Sequence, residues 1–341
     1  MGSVLVIPVF IPHSGCPHQC AFCNQTAITK ETSTLPDTVR VAAVIRQYLA
    51  WKGTRSRVEL AFFGGNFLGL SPGRIIRLME AVKPFLDSGD IQGIRFSTRP
   101  DTVTRDRLDL LRSYPVCLVE LGVQTMNDQV LARVKRGHTS QDTCRAVGLL
   151  KDRELKTGVQ VMVGLPDETQ DSMMRTARIL AGLQPLTARI YPVLVLKNTP
   201  LARWYETGEY QPLTLDRAVE ITSGMYQVFT RAGVAVIRMG LQTSGTQDPD
   251  VIAGPRHPAF GHLVFSRNMY RTVIKKIQAL GDDKTPVRMT LSVHPHDESR
   301  LRGDKNKNLY LLEAAFPWCD FDIAPDPAME PDQVDIFKSP A

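Results

Sequence analysis

Apolar, β-branched runs alternate along the chain with longer stretches whose apolar residues recur at helical spacing. The runs at 5–12, 58–65, 93–98, 116–124, 158–165, 188–196 and 234–241 read as strands. Helical spacing occupies 37–51, 72–87, 103–113, 140–152, 169–183 and 214–232. Regular strand–helix alternation implies parallel strands joined by crossover helices. Six or more such units predict an α/β fold with a partial (β/α)6-type TIM barrel. A doubly wound open sheet is the alternative, although no G-x-G-x-x-G follows the first strand. A barrel carries its chemistry just past the C-terminal ends of its strands. At those places this chain has three cysteines, then FFGGNFLG, STRPD, ELGVQ and GLPDE.

The pattern changes after residue 242, which sets the expected barrel at 1–242. A loop rich in Gly, Pro and Asp covers 243–262 and is expected to cap the substrate, with Arg256, His257 and His262 in it. Residues 263–341 then read as a small α+β appendage: a helix near 263–280, a strand at 287–294, a basic turn SRLRGDKNKN, a helix near 307–316 and a short strand at 321–323. The tail after Pro325 is acidic and contains proline, so irregular structure is expected there.

Composition adds limits more than it adds identity. With 341 residues, 43% hydrophobic and 22% charged, the chain can bury a sizeable core. No apolar run reaches membrane-spanning length. The opening MGSVLVIPVFIP lacks a basic n-region and reads as a strand, not a signal peptide. A cytoplasmic location follows as the expectation, and in a reducing compartment clustered cysteines serve as metal ligands or catalysts more often than as disulfides. The net charge of +6 permits an acidic partner such as nucleic acid without requiring one.

Three of the six cysteines, Cys16, Cys20 and Cys23, fall within HSGCPHQCAFCNQ, while Cys117, Cys144 and Cys319 are scattered. A closed zinc site needs four ligands, and His13 or His18 could supply the fourth. In a cubane iron–sulfur cluster each iron takes a ligand. Three cysteines on one tight loop hold three irons and leave the fourth open to a small molecule.

The spacing C-x3-C-x2-C, with Phe22 before the last cysteine and the whole motif directly after a first barrel strand, resembles the signature of radical S-adenosylmethionine enzymes. The resemblance implies a [4Fe–4S] cluster on Cys16, Cys20 and Cys23. It implies S-adenosylmethionine on the open iron, reductive cleavage to a 5′-deoxyadenosyl radical, and an electron donor of flavodoxin or ferredoxin type. Gly64, Gly65 and Asn66 stand where that family has a Gly-Gly-Glu type motif, with Asn66 as a departure. Ser97 and Arg99 share one face of the third strand, and Glu120, Gly122 and Gln124 share one face of the fourth. By resemblance Arg99 lies near the carboxylate of the cosubstrate, and Glu120 and Gln124 near its ribose. Glu120 has a second reading, an internal ion pair with an arginine such as Arg189 or Arg238. Met162 stands where the family's fifth-strand motif has glycine.

The resemblance narrows further. STRPD, ELGVQTMNDQVL, KRGHTS and MVGLPDET are similar to the radical domain of the catalytic subunit of Elongator, a tRNA-modifying enzyme. IPHSGCPHQCAFCNQ, RIYPVLVLKNTPLA, IRMGLQ and AGPRHPAFG are similar to shorter bacterial Elongator-like radical proteins. No acetyl-CoA pyrophosphate loop follows residue 242, so the resemblance supports only the radical half. RNA, in particular tRNA, is the substrate this implies. The alternatives are radical chemistry on a small molecule or tetrapyrrole, as in the related oxygen-independent coproporphyrinogen oxidases, and a non-enzymatic protein with structural zinc. Arg300, Arg302, Lys305 and Lys307 precede a helix and suit a phosphate backbone, or form a solvated charged turn.

These readings make the cysteines separable. Replacing Cys16, Cys20 or Cys23 by alanine is expected to abolish iron binding after anaerobic reconstitution, against about four irons per chain in the parent protein. The same replacement at Cys117, Cys144 or Cys319 should leave iron content unchanged. Iron analysis and visible charge-transfer absorbance check both outcomes.

Overall fold

The computed structural model describes residues 4–11, 15–24, 35–241, 250–281 and 286–340. Seven strands form one sheet: β1 (Val4–Phe10), β2 (Arg57–Phe63), β3 (Gly93–Thr98), β4 (Val116–Gln124), β5 (Thr157–Val163), β6 (Thr187–Pro192) and, after the two-residue β7 (Val195–Leu196), β8 (Ala235–Met239). Their order is β1-β2-β3-β4-β5-β6-β8, and every neighbouring pair is parallel. β1 and β8 stay at the two ends, so the barrel is partial. Parallel strands are covered on both faces, which explains why β2 and β4 read as nearly unbroken apolar runs.

The crossover helices are α1 (Thr38–Ala50), α2 (Pro72–Asp87), α3 (Arg105–Asp109), α4 (Asp128–Arg133), α5 (Ser140–Lys151), α6 (Gln170–Gly182), α7 (Pro200–Glu206) and α8 (Leu215–Arg231). Their starts follow from local chemistry. Asp37 accepts from the Arg40 amide at the head of α1, and Thr139 with Asp142 forms a capping box on α5. Valine, leucine and isoleucine from the inner helix faces and the strands make one core, in which Phe67 stacks between Phe62 and Phe96.

Several boundaries differ from the sequence expectation. The helix expected over 103–113 shrinks to α3 after a 3-10 turn at Pro100–Thr102. The strand expected over 188–196 breaks after Pro192, and Val195–Leu196 pairs antiparallel with β9 (Val251–Ala253). α4 and α7 were absent from the periodic reading because each is too short to show a full helical period.

A second sheet has the order β11-β10-β12, with β10 (Val287–Val293) between β11 (Cys319–Pro325) and β12 (Val334–Pro340). α9 (Phe260–Ala279), α10 (Glu298–Arg302) and α11 (Lys307–Ala315) pack beside it around a separate core of Met269, Val273, Leu291, Leu301 and Leu312. The expectation of an irregular tail after Pro325 is corrected here. β12 pairs antiparallel along the whole of β10, with Val334 fully buried. Val334 and Ile336 share one face of the strand with Asp335 between them, and β10 would otherwise leave one edge of buried backbone unpaired. Lys276 of α9 ties the strand down through the Val334 carbonyl and the Asp335 carboxylate. His13 and residues 243–249 of the expected capping loop lie outside the described residues.

Candidate cofactor site

The cysteine segment has neither helix nor strand of its own, and three neighbours hold it. The first is Asn66, just past β2. Its Nδ2 donates to the Gly15 carbonyl at 2.8 Å. Its Oδ1 accepts from Thr98 Oγ1 at 2.7 Å, Thr102 Oγ1 at 2.9 Å and the Arg99 amide at 3.0 Å. Asn66 is 1% exposed, so these four bonds use its amide inside the protein. The packing is close enough that a Cβ on Gly15 would lie 2.3 Å from the Asn66 carbonyl oxygen, and one on Gly69 would lie 2.1 Å from the Gly15 oxygen. Gly15 also has φ +79°, where side chains are disfavoured.

The second neighbour is the turn after α4. The Ala21 amide donates to the Val134 carbonyl at 2.9 Å, and the His18 ring lies against Gly137. The guanidinium of buried Arg136 reaches Cys20 Sγ at 3.4 Å through Nη1 and the Gly122 carbonyl at 2.6 Å through Nη2. The third neighbour leads into α7. Leu201 donates its amide to the Ala21 carbonyl, and Asn24 Nδ2 donates to the Lys197 carbonyl. Phe22 joins an apolar cluster with Met162, Tyr205 and Ala253, so β9 and α7 reach the same loop.

Burial pushes the Cys23 thiol up to about 12, and the neighbouring Cys20 and Cys16 add to it against Arg136. Cys16 is also raised by burial, with Arg136 and Arg99 working the other way. Burial thus favours the protonated form of Cys16 and Cys23, and a metal centre that displaces their protons suits them. Among the described residues no three His, Cys, Asp or Glu side chains converge on a single metal ion, which leaves the one-ion zinc reading without a ligand set there. Three separate thiols suit a multi-iron cluster, in which each sulfur takes a different iron. Two orphaned buried donors, Arg99 Nη1 and Arg136 Nε, accompany them and suit an anionic occupant. Arg99 is 2% exposed and binds Asp101 through Nε and Nη2, both at 3.0 Å. His138 is buried close by. Burial, then Arg136 and Arg99, pull it down to about 3, so its imidazole is neutral.

Inside the barrel, Glu120 is 1% exposed and fully engaged. Its Oε1 accepts from Arg95 at 2.6 Å and Arg189 at 2.9 Å, and its Oε2 accepts from Gln160 at 3.0 Å. Gln160 also donates to Ser97, Arg95 reaches Glu59, and the Arg189 guanidinium sits over the Phe63 ring. Of the two readings open for Glu120, the ion pair is present, with Arg95 as a second partner. A register shift in β4 between Gly122 and Gln124 breaks the alternation expected there. Gln124 takes φ +71°, and its amide returns beside Gly122. Gly64, with φ +92°, and Gly65 lie at the end of β2, next to Asn66. Glu168, after β5, accepts from Thr125 and Ser172, and burial pushes it up to about 7.

The basic turn is mostly compensated from within. Arg300 pairs with Asp297 and Asp332 and lies over Phe265, Arg302 pairs with Glu298, and Lys307 pairs with Asp216. Arg136, Arg95 and the clamping role of Asn66 were missed in the sequence. KRGHTS was noted there without a role for its arginine, and a lone arginine inside the apolar strand GIRFST was the signal for a buried pair.

A family model described as Radical SAM superfamily matches residues 10–180, and one described as Radical_SAM C-terminal domain matches 185–271. An uncharacterized protein of Methanocaldococcus jannaschii is 27% identical over 227 residues, covering 64% of this chain and 70% of its own. The tRNA uridine(34) acetyltransferase of the same organism is 28% identical over 268 residues, covering 65% of this chain and 48% of its own. The chain thus spans about half the length of the tRNA uridine(34) acetyltransferases it matches. Among solved structures, the archaeal Elp3 of Methanocaldococcus infernus superposes with a TM-score of 0.63 at 22% identity, covering 81% of this chain and 64% of that one. Coproporphyrinogen III oxidase of Escherichia coli superposes with a TM-score of 0.50 at 20% identity, covering 68% of this chain and 53% of that one. These two likenesses concern the fold.

Asn66→Ala strands the Gly15 carbonyl and the Arg99 amide, while Thr98 and Thr102 keep each other and the Arg99 carbonyl as partners. It should cost about 2–4 kcal/mol in denaturant unfolding, and hydrogen exchange should quicken around residues 15–20. Glu168 holds a proton in the folded chain that the unfolded chain has released at pH 5–7. Its contribution is therefore lost as pH rises through that window, by at most about 3 kcal/mol. Glu168→Gln should raise the melting temperature relative to the parent protein at pH 8 and not at pH 5.

Proposed function

Because the chain belongs to the radical S-adenosylmethionine superfamily, we propose that it is a radical enzyme that modifies RNA, with tRNA as its substrate class. Cys16, Cys20 and Cys23 would hold the [4Fe–4S] cluster. When bound, that cluster and S-adenosylmethionine supply reductive cleavage of the sulfonium and hydrogen abstraction from an unactivated carbon. The chain's own residues bind, orient and exclude water. Gly64 and Gly65 bring backbone close to the cosubstrate. Arg99 offers its orphaned Nη1 to a carboxylate, with its other nitrogens fixed by Asp101. Gln124, turned back beside Gly122, would hold the ribose. Phe22, packed like Met162, Tyr205 and Ala253 against the buried cluster of Ala21, Leu165 and Val193, gives an apolar wall for the nucleoside and keeps water from the loop. Glu120, held by Arg95 and Arg189, shapes the lumen beneath.

The observation that carries the RNA reading is the kinship with the tRNA uridine(34) acetyltransferases. It spans 65% of this chain. The basic turn lends it little, since three of its four cations are already paired. The deciding measurement is release of 5′-deoxyadenosine by anaerobically reconstituted, reduced protein. Bulk tRNA should stimulate release several-fold and acquire a new nucleoside mass. Stimulation by a porphyrinogen or another small metabolite, with none by tRNA, would overturn the RNA reading.

A further inference from the structure

A cleft of about 620 Å³ lies where the C-terminal unit meets the barrel, walled by α8, α9 and the turn that leads into α11. That volume suits a small-molecule or nucleotide site. It stands at the rim that carries the chemistry. α8 runs back along the strands, so its first turn sits at their C-terminal ends. Tyr210, just ahead of α8, donates its hydroxyl to the Gly164 carbonyl at 2.7 Å, directly past β5. Polar and apolar groups are sorted inside the cleft. The first turns of α8 and α11 supply Arg217 and Lys307, and their second turns supply Val219 and Leu311, with Leu263 from α9. Two helix starts thus converge on one cleft, and helix starts attract anions. Asn306, the residue before α11, makes no side-chain cap on it. A buried hydroxyl adds an observation of a different kind. Ser266, on the α9 wall, is 4% exposed, and its Oγ has no hydrogen-bond partner among the described residues. Buried hydroxyls are normally satisfied, so an unmet one on a cleft wall suits a ligand atom. Its neighbour Asn308 is engaged instead: Nδ2 donates to the carbonyls of Ser266, Arg300 and Leu301 and fixes α11 against α9.

The charges around the cleft leave room for an anion. Glu220 is held by two arginines, Arg267 and Arg271. Asp216 of α8 pairs with Lys307 of α11 at 2.8 Å, but both side chains are more than half exposed. Such a pair contributes little, so Lys307 is free to turn to a phosphate. Arg217 and Asp304 enter no ion pair among the described residues. A cation beside two helix starts suits a phosphate, and a carboxylate suits a ribose hydroxyl that donates to it. Resting on the RNA reading above, we propose that this cleft binds one nucleotide of the RNA, apart from the one modified at the barrel mouth. Its phosphate meets Arg217, Lys307 and the two helix starts. Its ribose hydroxyl donates to Asp304. Its base lies against Val219, Leu263 and Leu311, and the Ser266 hydroxyl bonds to the base edge.

The test is fluorescence anisotropy of labelled bulk tRNA with the full chain, repeated at several salt concentrations. Arg217→Glu should weaken binding about tenfold and lower the salt slope by about one. Arg217 is exposed, so this variant should fold as the parent does. Ser266→Ala removes an unbonded hydroxyl, so it should weaken binding several-fold with a melting temperature no lower than the parent's. Arg231→Glu makes the same change of charge at the exposed far end of α8 and should leave affinity unchanged. Unchanged affinity in both cleft variants, with the parent binding tRNA, would overturn the proposal. So would an equal loss in Arg231→Glu, since the effect would then be diffuse charge. Calorimetric binding of uridine 5′-monophosphate that Arg217→Glu abolishes, with tRNA affinity unmoved, would assign the cleft to a free nucleotide and overturn it as well. A parent protein that binds no tRNA would overturn the RNA reading itself, so the two failures are distinct.

Discussion

One carboxamide connects the cysteine loop to the barrel. Asn66 is the point where β2, β3 and the loop meet, and it has to give and receive hydrogen bonds at once. Its nitrogen is needed by a carbonyl and its oxygen by three donors. An ionised carboxylate at this position could serve the donors but would repel the Gly15 oxygen. That requirement gives the departure from the Gly-Gly-Glu pattern a structural reason. The tight fit of Gly15 and Gly69 around Asn66 follows from the same closeness, since no side chain can stand between the two backbones.

The strands of the barrel were legible because each is long, β-branched and covered on both faces, and the cysteine motif was legible because its spacing is confined to one loop. What escaped depends on groups far apart in the chain. Arg136 meets Cys20 across 116 positions, and nothing local in KRGHTS announces that partner. Asn66 looked like a ligand-facing residue, yet its bonds run to positions 51 and 32 residues away. β12 was hidden by composition. Acidic residues and prolines masked a period-two alternation that acquires meaning only when β10 needs a second edge partner. The register shift that turns Gln124 back beside Gly122 is likewise invisible in an alternating string of letters.

Charge is arranged differently at the two ends of the molecule. In the C-terminal unit, arginines and lysines close on nearby carboxylates and are largely spoken for, as Arg300 with Asp297 and Asp332 illustrates. In the lumen, Glu120 and Glu59 together balance Arg95 and Arg189. Around the thiols the balance tips to the cationic side, because Arg136 has no carboxylate partner among the described residues and Arg99 keeps one guanidinium nitrogen unbonded. A pocket built with surplus positive charge is prepared for an occupant that brings negative charge with it.

The tethers of the cysteine loop also dictate an order of maturation. Its hold-points are reached from Gly15 to Asn66, from Cys20 to Arg136 and from Asn24 to Lys197, spans of 51, 116 and 173 positions. A nascent chain that has made only its first strands owns the three thiols but not the socket that separates and orients them. The loop takes its observed shape only once β6 and α7 are in place, so a cofactor that needs this shape would find it in the folded chain and not in a bare peptide.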